Sequence, residues 1–222
     1  MLQAARRGEI KMQQFDGLVW KLYHIAEKIT HILYVNLLWV FFTVLGLGVF
    51  GLFPATAAMF SVNRKLILEK GNISVSKTFW NAYKSDFFQI NILGYSLVAI
   101  GAILYIDLRF FQTSNQVIQQ GLSFIFFILI FLYFIVLLYI FPVFAHYRLK
   151  TFEYIKYSLI LAIGRPLLTL AMIFGLLVTL FILKSVPILI LYFGANLISV
   201  VLMKLSMRAF SKVEIAEEGE TP

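Results

Sequence analysis

Cysteine is absent from all 222 residues. That removes disulfides, thiolate nucleophiles and zinc-thiolate centres, and leaves the redox compartment undetermined. Charge is scarce too: 14% of residues are charged, against about 25% in soluble domains. There is no Gly-x-x-x-x-Gly-Lys phosphate loop, no Gly-x-Ser-x-Gly elbow and no His-Glu-x-x-His pair. ATP hydrolysis, esterase chemistry and zinc proteolysis therefore lack their recognisable machinery in this chain, and no enzymatic activity and no cofactor are expected.

What fills the chain instead is apolar. Hydrophobic residues make up 61% and Phe alone numbers 23, with a mean hydropathy of +0.88. The apolar mass falls in long charge-free runs at 29–63, 87–106, 110–147, 166–183 and 185–203. A helix crossing the ~30 Å hydrocarbon core needs roughly 20 such residues. The sequence therefore predicts an all-α, polytopic transmembrane helical bundle of about five to six membrane segments, a multi-pass protein of the cell membrane.

The net charge of +8 would suit nucleic acid, but its placement points to a membrane. Lys and Arg cluster before the first run, at 64–84, at 148–165 and near the C-terminus, while the segments around Arg109 and Lys184 hold one each. Positive residues mark cytoplasmic segments. Four passes follow: 87–106 outward, about 120–145 inward, about 160–183 outward and 186–204 inward.

The first run has basic clusters on both sides, so it must cross an even number of times. As one helix its 35 residues would reach about 52 Å, too long for one pass and too short for two ordinary ones. Gly46, Gly48 and Gly51 supply a turn, and Pro54 cannot continue a helix without losing a backbone hydrogen bond. The expectation is a broken hairpin: a helix from about 30 to 46, a Gly-rich reversal, and a shorter return from about 54 to 68. This places 17 of the 19 basic residues on the inside, against at most 12 for a single pass. Irregular backbone at membrane depth must be covered by protein, so the 46–53 turn lies either at the outer surface or against other helices.

Two amphipathic stretches flank this hairpin. In residues 1–28, Phe15, Leu18, Val19, Leu22, Ile25, Ala26 and Ile29 recur at helical steps opposite Asp16, Lys21, Glu27 and Lys28. That pattern fits a helix lying among anionic headgroups, or an extension of the first membrane helix. Arg6 and Arg7 precede polar residues, which argues against a cleavable signal, and Met12 is a second candidate start. Within the 64–86 elbow, Gly71-Asn72 makes a turn, Ser74 or Ser76 can cap, and Val75, Phe79, Ala82, Tyr83 and Phe87 share a face. Residues 29–210 form the membrane domain. The tail 211–222, with Glu214, Glu217, Glu218 and Glu220, is expected to be disordered.

Several blocks resemble the YesL family of bacterial membrane proteins. They are Asn36-Leu37-Leu38-Trp39, Pro54-Ala55-Thr56-Ala57-Ala58, Arg64-Lys65, Thr78-Phe79-Trp80, Phe87-Phe88-Gln89, Phe141-Pro142 with His146-Tyr147, the stretch from Lys156 to Thr169, and Pro187. The likeness spans about residues 13–210, and the Pro-Ala-Thr-Ala-Ala block is its most specific element. Phe53 stands where that family usually has Gly. The resemblance implies no reaction, and a context beside carbohydrate ABC importers of Gram-positive bacteria.

Candidate functional residues follow from the lipid solvent. Pro54, Ala55, Thr56, Ala57 and Ala58 form a small-residue surface for close helix packing, as do Ala171 with Gly175 and Ala195 with Ser199. The sharper alternative is a path for a neutral solute lined by Asn36, Thr56 and Asn196. Unpartnered amides are costly in a membrane, so Asn36, Asn91 and Asn196 should face the interior and bond each other or carbonyls freed near Pro54 and Pro142. Phe79, Trp80, Lys84 and Arg165 are candidate contacts for a partner or lipid. Arg165 either snorkels to phosphates or pairs with Glu153 or Asp86. His24, Glu27 and His31 share a helical face but lack a third strong donor, so no metal is expected. His146 reads as a positive group at a helix C-terminus.

Three functions remain open: an accessory or assembly factor beside a carbohydrate ABC importer, a stand-alone small-solute transporter or channel, and a membrane signalling scaffold. The partners expected are membrane lipid and importer permease or ATPase subunits, with no nucleic acid. Oligomeric state is left open.

Overall fold

The computed structural model describes residues 2–69, 73–113 and 117–219, and these are helical almost throughout. Eight helices follow one another: α1 (Leu2–Leu45), α2 (Val49–Leu68), α3 (Val75–Ser85), α4 (Phe87–Gln112), α5 (Val117–His146), α6 (Glu153–Gly164), α7 (Pro166–Ser185) and α8 (Ile188–Gly219). Five stretches are long and apolar enough to cross a membrane: Ile25–Leu45, Phe87–Gln112, Gly121–His146, Pro166–Ser185 and Ile188–Phe210.

The amphipathic N-terminal stretch is continuous with the first membrane helix in α1. Its stripe stays uncovered, with Val19, Leu22, Ile25 and Ile29 all exposed. A broken hairpin follows, as charge placement demands. Leu47 and Gly48 take positive φ of 57° and 73°, and Gly48 N–H closes the turn on the Thr43 carbonyl at 2.8 Å. Gly46 and Gly51 touch backbone to backbone, so a methyl on Gly51 would lie 2.5 Å from the Thr43 carbonyl oxygen and 2.8 Å from that of Phe42. One flank of the turn rests on α3, where the Tyr83 hydroxyl donates to the Phe42 carbonyl at 3.2 Å, while Leu47, Val49 and Phe50 at its tip are exposed.

The returning arm starts five residues earlier than expected, at Val49, and Pro54 lies inside it. A helical proline frees the carbonyl four residues back, here that of Phe50. Asn91 on α4 supplies the missing donor, its Nδ2 reaching Phe50 O at 3.1 Å and Phe87 O at 2.9 Å. The break therefore costs little, and helix geometry resumes at once. Phe53 packs its ring against Gly94, where a methyl would overlap it. The residue that departs from the family pattern is thus a packing element of α2 rather than part of the turn.

α2 is the hub. It contacts α1, α3, α4, α5 and α8, and its Gly51, Pro54, Ala55, Ala57, Ala58, Met59 and Phe60 are buried. Small side chains let that many backbones come close without the hydrophobic drive that water would give. α7 and α8 form an antiparallel pair, with Gly175 against Val201 and Leu205.

Three boundaries differ from expectation. α3 ends at Ser85, and Asp86 both caps it and starts α4. The span placed at about 160–183 begins only at Pro166, because Pro166 drives Arg165 out of helical geometry (φ −134°, ψ 61°) and splits off α6. The acidic segment expected to be disordered continues α8 as far as Gly219. The Gly71-Asn72 turn lies outside the described residues.

Candidate functional site

Membrane helices must satisfy every buried polar group from within, so the largest buried polar cluster is where function or structural necessity concentrates. It lies where α1, α2 and α8 meet. Asn36, Asn63, Asn196 and Ser199 are each at most 3% exposed. Asn36 Nδ2 donates to Leu191 O at 3.0 Å, while its Oδ1 accepts the Asn196 backbone N–H at 3.1 Å. Asn196 Nδ2 donates to Ile32 O at 2.9 Å. The Asn196 Oδ1 accepts from Asn63 Nδ2 at 2.6 Å and from Ser199 Oγ at 3.0 Å, and Asn63 Nδ2 also contacts Ser199 Oγ. Asn36 and Asn196 meet as their amide chemistry requires, and both ends of each side chain are used.

Thr56 stands apart from this network. Its hydroxyl donates to Leu52 O at 2.7 Å and accepts from Trp39 Nε1 at 3.0 Å, locking the hairpin's two arms together. Pro54, Ala55 and Ala57 are buried in the hub. The three residues of the solute path are therefore split between two separate sets of hydrogen bonds.

A second polar cluster joins α4 to the α5–α6 connection. Asp86, 6% exposed, accepts from Arg148 Nη1 at 2.8 Å and from Ser85 Oγ at 2.9 Å. Gln89 Nε2 donates to Leu149 O at 2.8 Å. The Tyr154 hydroxyl accepts Leu149 N–H at 3.1 Å and donates to Tyr147 O at 3.3 Å. Burial pushes this phenol above its ordinary value, partly offset by the Leu149 N–H and the nearby Arg148. Glu153 Oε2 accepts Lys150 N–H at 2.9 Å, just before α6 begins.

Of the contact residues expected on the elbow, Phe79 is fully buried, stacked 5.1 Å from Phe42. It is corrected from a partner contact to a core residue, since it lies on the inward stripe with Val75 and Tyr83. Trp80 and Lys84 are exposed. Arg165 is half-buried at the α6–α7 break, and its carbonyl receives Thr169 Oγ1 at 3.1 Å. Asp86, one of its expected partners, belongs to Arg148 instead. His146 lies in the last turn of α5 as expected, and its Nδ1 meets Arg64 Nε at 3.0 Å. The ring stacks on Phe210 at 4.4 Å.

Sequence reasoning missed Asn63, and it named Asp86 only as a partner for Arg165 rather than for Arg148. Asn63 adjoins Arg64-Lys65 and so reads as part of a solvated basic segment. Its spacing with Ala55 and Met59, four residues apart each, puts it on the buried face of α2.

The family model described as "Protein of unknown function, DUF624" matches residues 32–108, from the last four turns of α1 to most of α4, including Asn36, Asn63 and Asn91. Three proteins of Bacillus subtilis (strain 168) are similar over nearly their whole length. The uncharacterized protein YteU is 40% identical over 201 residues, covering 90% of each chain. The uncharacterized protein YesV is 34% identical over 193 residues, 87% of this chain and 93% of its own. For the uncharacterized protein YesL the identity is 34% over 199 residues, 90% and 94%. No solved structure matches. With identities of this size extending across the hairpin, the hub and the amide cluster alike, the chain belongs to the YesL-like family that carries the DUF624 domain.

Proposed function

We propose that this protein is a non-catalytic accessory or assembly subunit of the cell membrane, acting beside a carbohydrate ABC importer. The observation that carries the reading is the state of the buried amides. Asn36, Asn63, Asn196 and Ser199 spend their hydrogen-bonding capacity on one another and on the Ile32 and Leu191 carbonyls, which suits a fastener better than a lining that exchanges solute. The importer context comes from the family resemblance. The basic end of the bundle, with Lys84, Arg148 and Lys150 exposed, is the surface that would meet cytoplasmic components.

A solute path has less support, because Thr56 is committed to Trp39 and Leu52 rather than to the amides. Affinity purification from host membranes in mild detergent tests the proposal. Recovery of importer permease or ATPase subunits is expected; consistent recovery of the chain alone would sink it.

A further inference from the structure

The joint between α4 and the α5–α6 connection has an outer face that the accessory role does not use. Asp86 with Arg148, and Gln89 with Leu149, bolt the two segments together. Each bolt brings its chain neighbours with it: Lys84 and Phe88 on one side, Arg148, Lys150 and Phe152 on the other. All five are exposed. Phe88 is 81% and Phe152 65% exposed. Trp80, one helical turn before Lys84, is exposed as well.

Charge here is one-sided. The acids at the joint are Asp86, buried and held by Arg148 and Ser85, and Glu153, which accepts the Lys150 N–H. Lys84 and Lys150 thus face outward beside carboxylates already committed to Arg148, Ser85 and the Lys150 N–H. Aromatic rings flanking cations is the pattern of an interfacial anchor: rings settle among headgroups and acyl ends while cations meet phosphates.

We infer that this joint is a binding site for the phosphate headgroup of an anionic phospholipid in the inner leaflet, with Lys84 and Lys150 engaging the headgroup and Phe88 and Phe152 seated in the bilayer boundary. The anionic lipid is favoured over an acidic protein because the open rings flank the cations on both sides of the joint. They need an apolar medium immediately next to the charge, and the five apolar spans supply one.

Native mass spectrometry of the full chain in detergent, supplied with equal amounts of phosphatidylglycerol and phosphatidylcholine, tests this. Preferential retention of phosphatidylglycerol is expected. It should fall about tenfold in Lys84→Gln/Lys150→Gln, since each lysine near an anionic surface contributes substantially to attraction. Lys84→Arg/Lys150→Arg should keep the preference, as should Lys204→Gln, an exposed lysine on α8. Equal retention of both lipids by the unaltered chain would overturn the site. So would an undiminished preference in the glutamine variant, or an equal fall in Lys204→Gln. Capture of an acidic protein through the same two lysines, with no lipid preference, would overturn it too.

Discussion

The side-chain amide of Asn91 stands 3.1 Å from the carbonyl of Phe50, the group that Pro54 deprives of its helical donor. A proline in α2 and an asparagine in α4 thus form one unit. Asn91→Ala should destabilise by about 1 kcal/mol, the cost of leaving a part-buried acceptor unmet. In a Pro54→Ala background the Phe50 carbonyl regains its own partner, so the same change should cost distinctly less. Thermal unfolding of the four proteins in detergent gives the coupling, and additive effects would refute the pairing.

Asn196→Leu separates fastener from path. It leaves Asn63 Nδ2 with Ser199 Oγ alone and takes the side-chain donor from the Ile32 carbonyl, and a loss of about 1–2 kcal/mol is expected, at the upper range for hydrogen bonds between membrane helices. Thr56→Val should act independently of it. If instead the two variants abolished solute flux in liposomes while leaving the unfolding midpoint unchanged, the static role would be wrong.

Arg148 is open to solvent while its partner Asp86 is enclosed, with side chains 77% and 8% exposed. Removing the arginine alone should therefore hurt more than removing both charges. Arg148→Gln is expected to cost about 1–3 kcal/mol by stranding a carboxylate, discounted for the exposed guanidinium. Asp86→Asn combined with Arg148→Gln should recover most of it. Denaturant midpoints of the single and double variants decide the matter.

Tyr154 gives a pH dependence with a definite sign. Its folded pKa is raised above the ordinary tyrosine value by burial. The neutral phenol's stabilising contribution is thus fully present below about pH 10 and is lost as pH climbs through the folded value. Ultraviolet titration should show one fewer late-ionising tyrosine in Tyr154→Phe. That variant should also lose less stability between neutral and strongly alkaline pH than the unaltered chain does.

The parts legible in the sequence are those that lipid and charge dictate locally. Basic clusters on both sides of residues 29–63 demand an even number of crossings, and Gly46, Gly48 and Gly51 mark the reversal. The amphipathic spacing of Val75, Phe79 and Tyr83 marks α3. What stayed hidden depends on partners distant in the chain. Pro54 reads as a helix start until Asn91, 41 residues away from Phe50, is known to complete its turn. Asn63 reads as solvated until Asn196, 133 residues further on, is brought beside it. The α6–α7 break was signalled by Arg165-Pro166, but an unbroken hydropathy run on either side masked it.

The amide cluster joins residues 133 positions apart, and biosynthesis makes that a matter of timing. Asn36 and Asn63 leave the ribosome well before Asn196, which completes them 133 residues after Asn63. Until α8 enters the bilayer, the first hairpin carries these amides without their α8 partners, a costly state in lipid. A chain stopped before Ile188 lacks every partner that α8 supplies to Asn36 and Asn63.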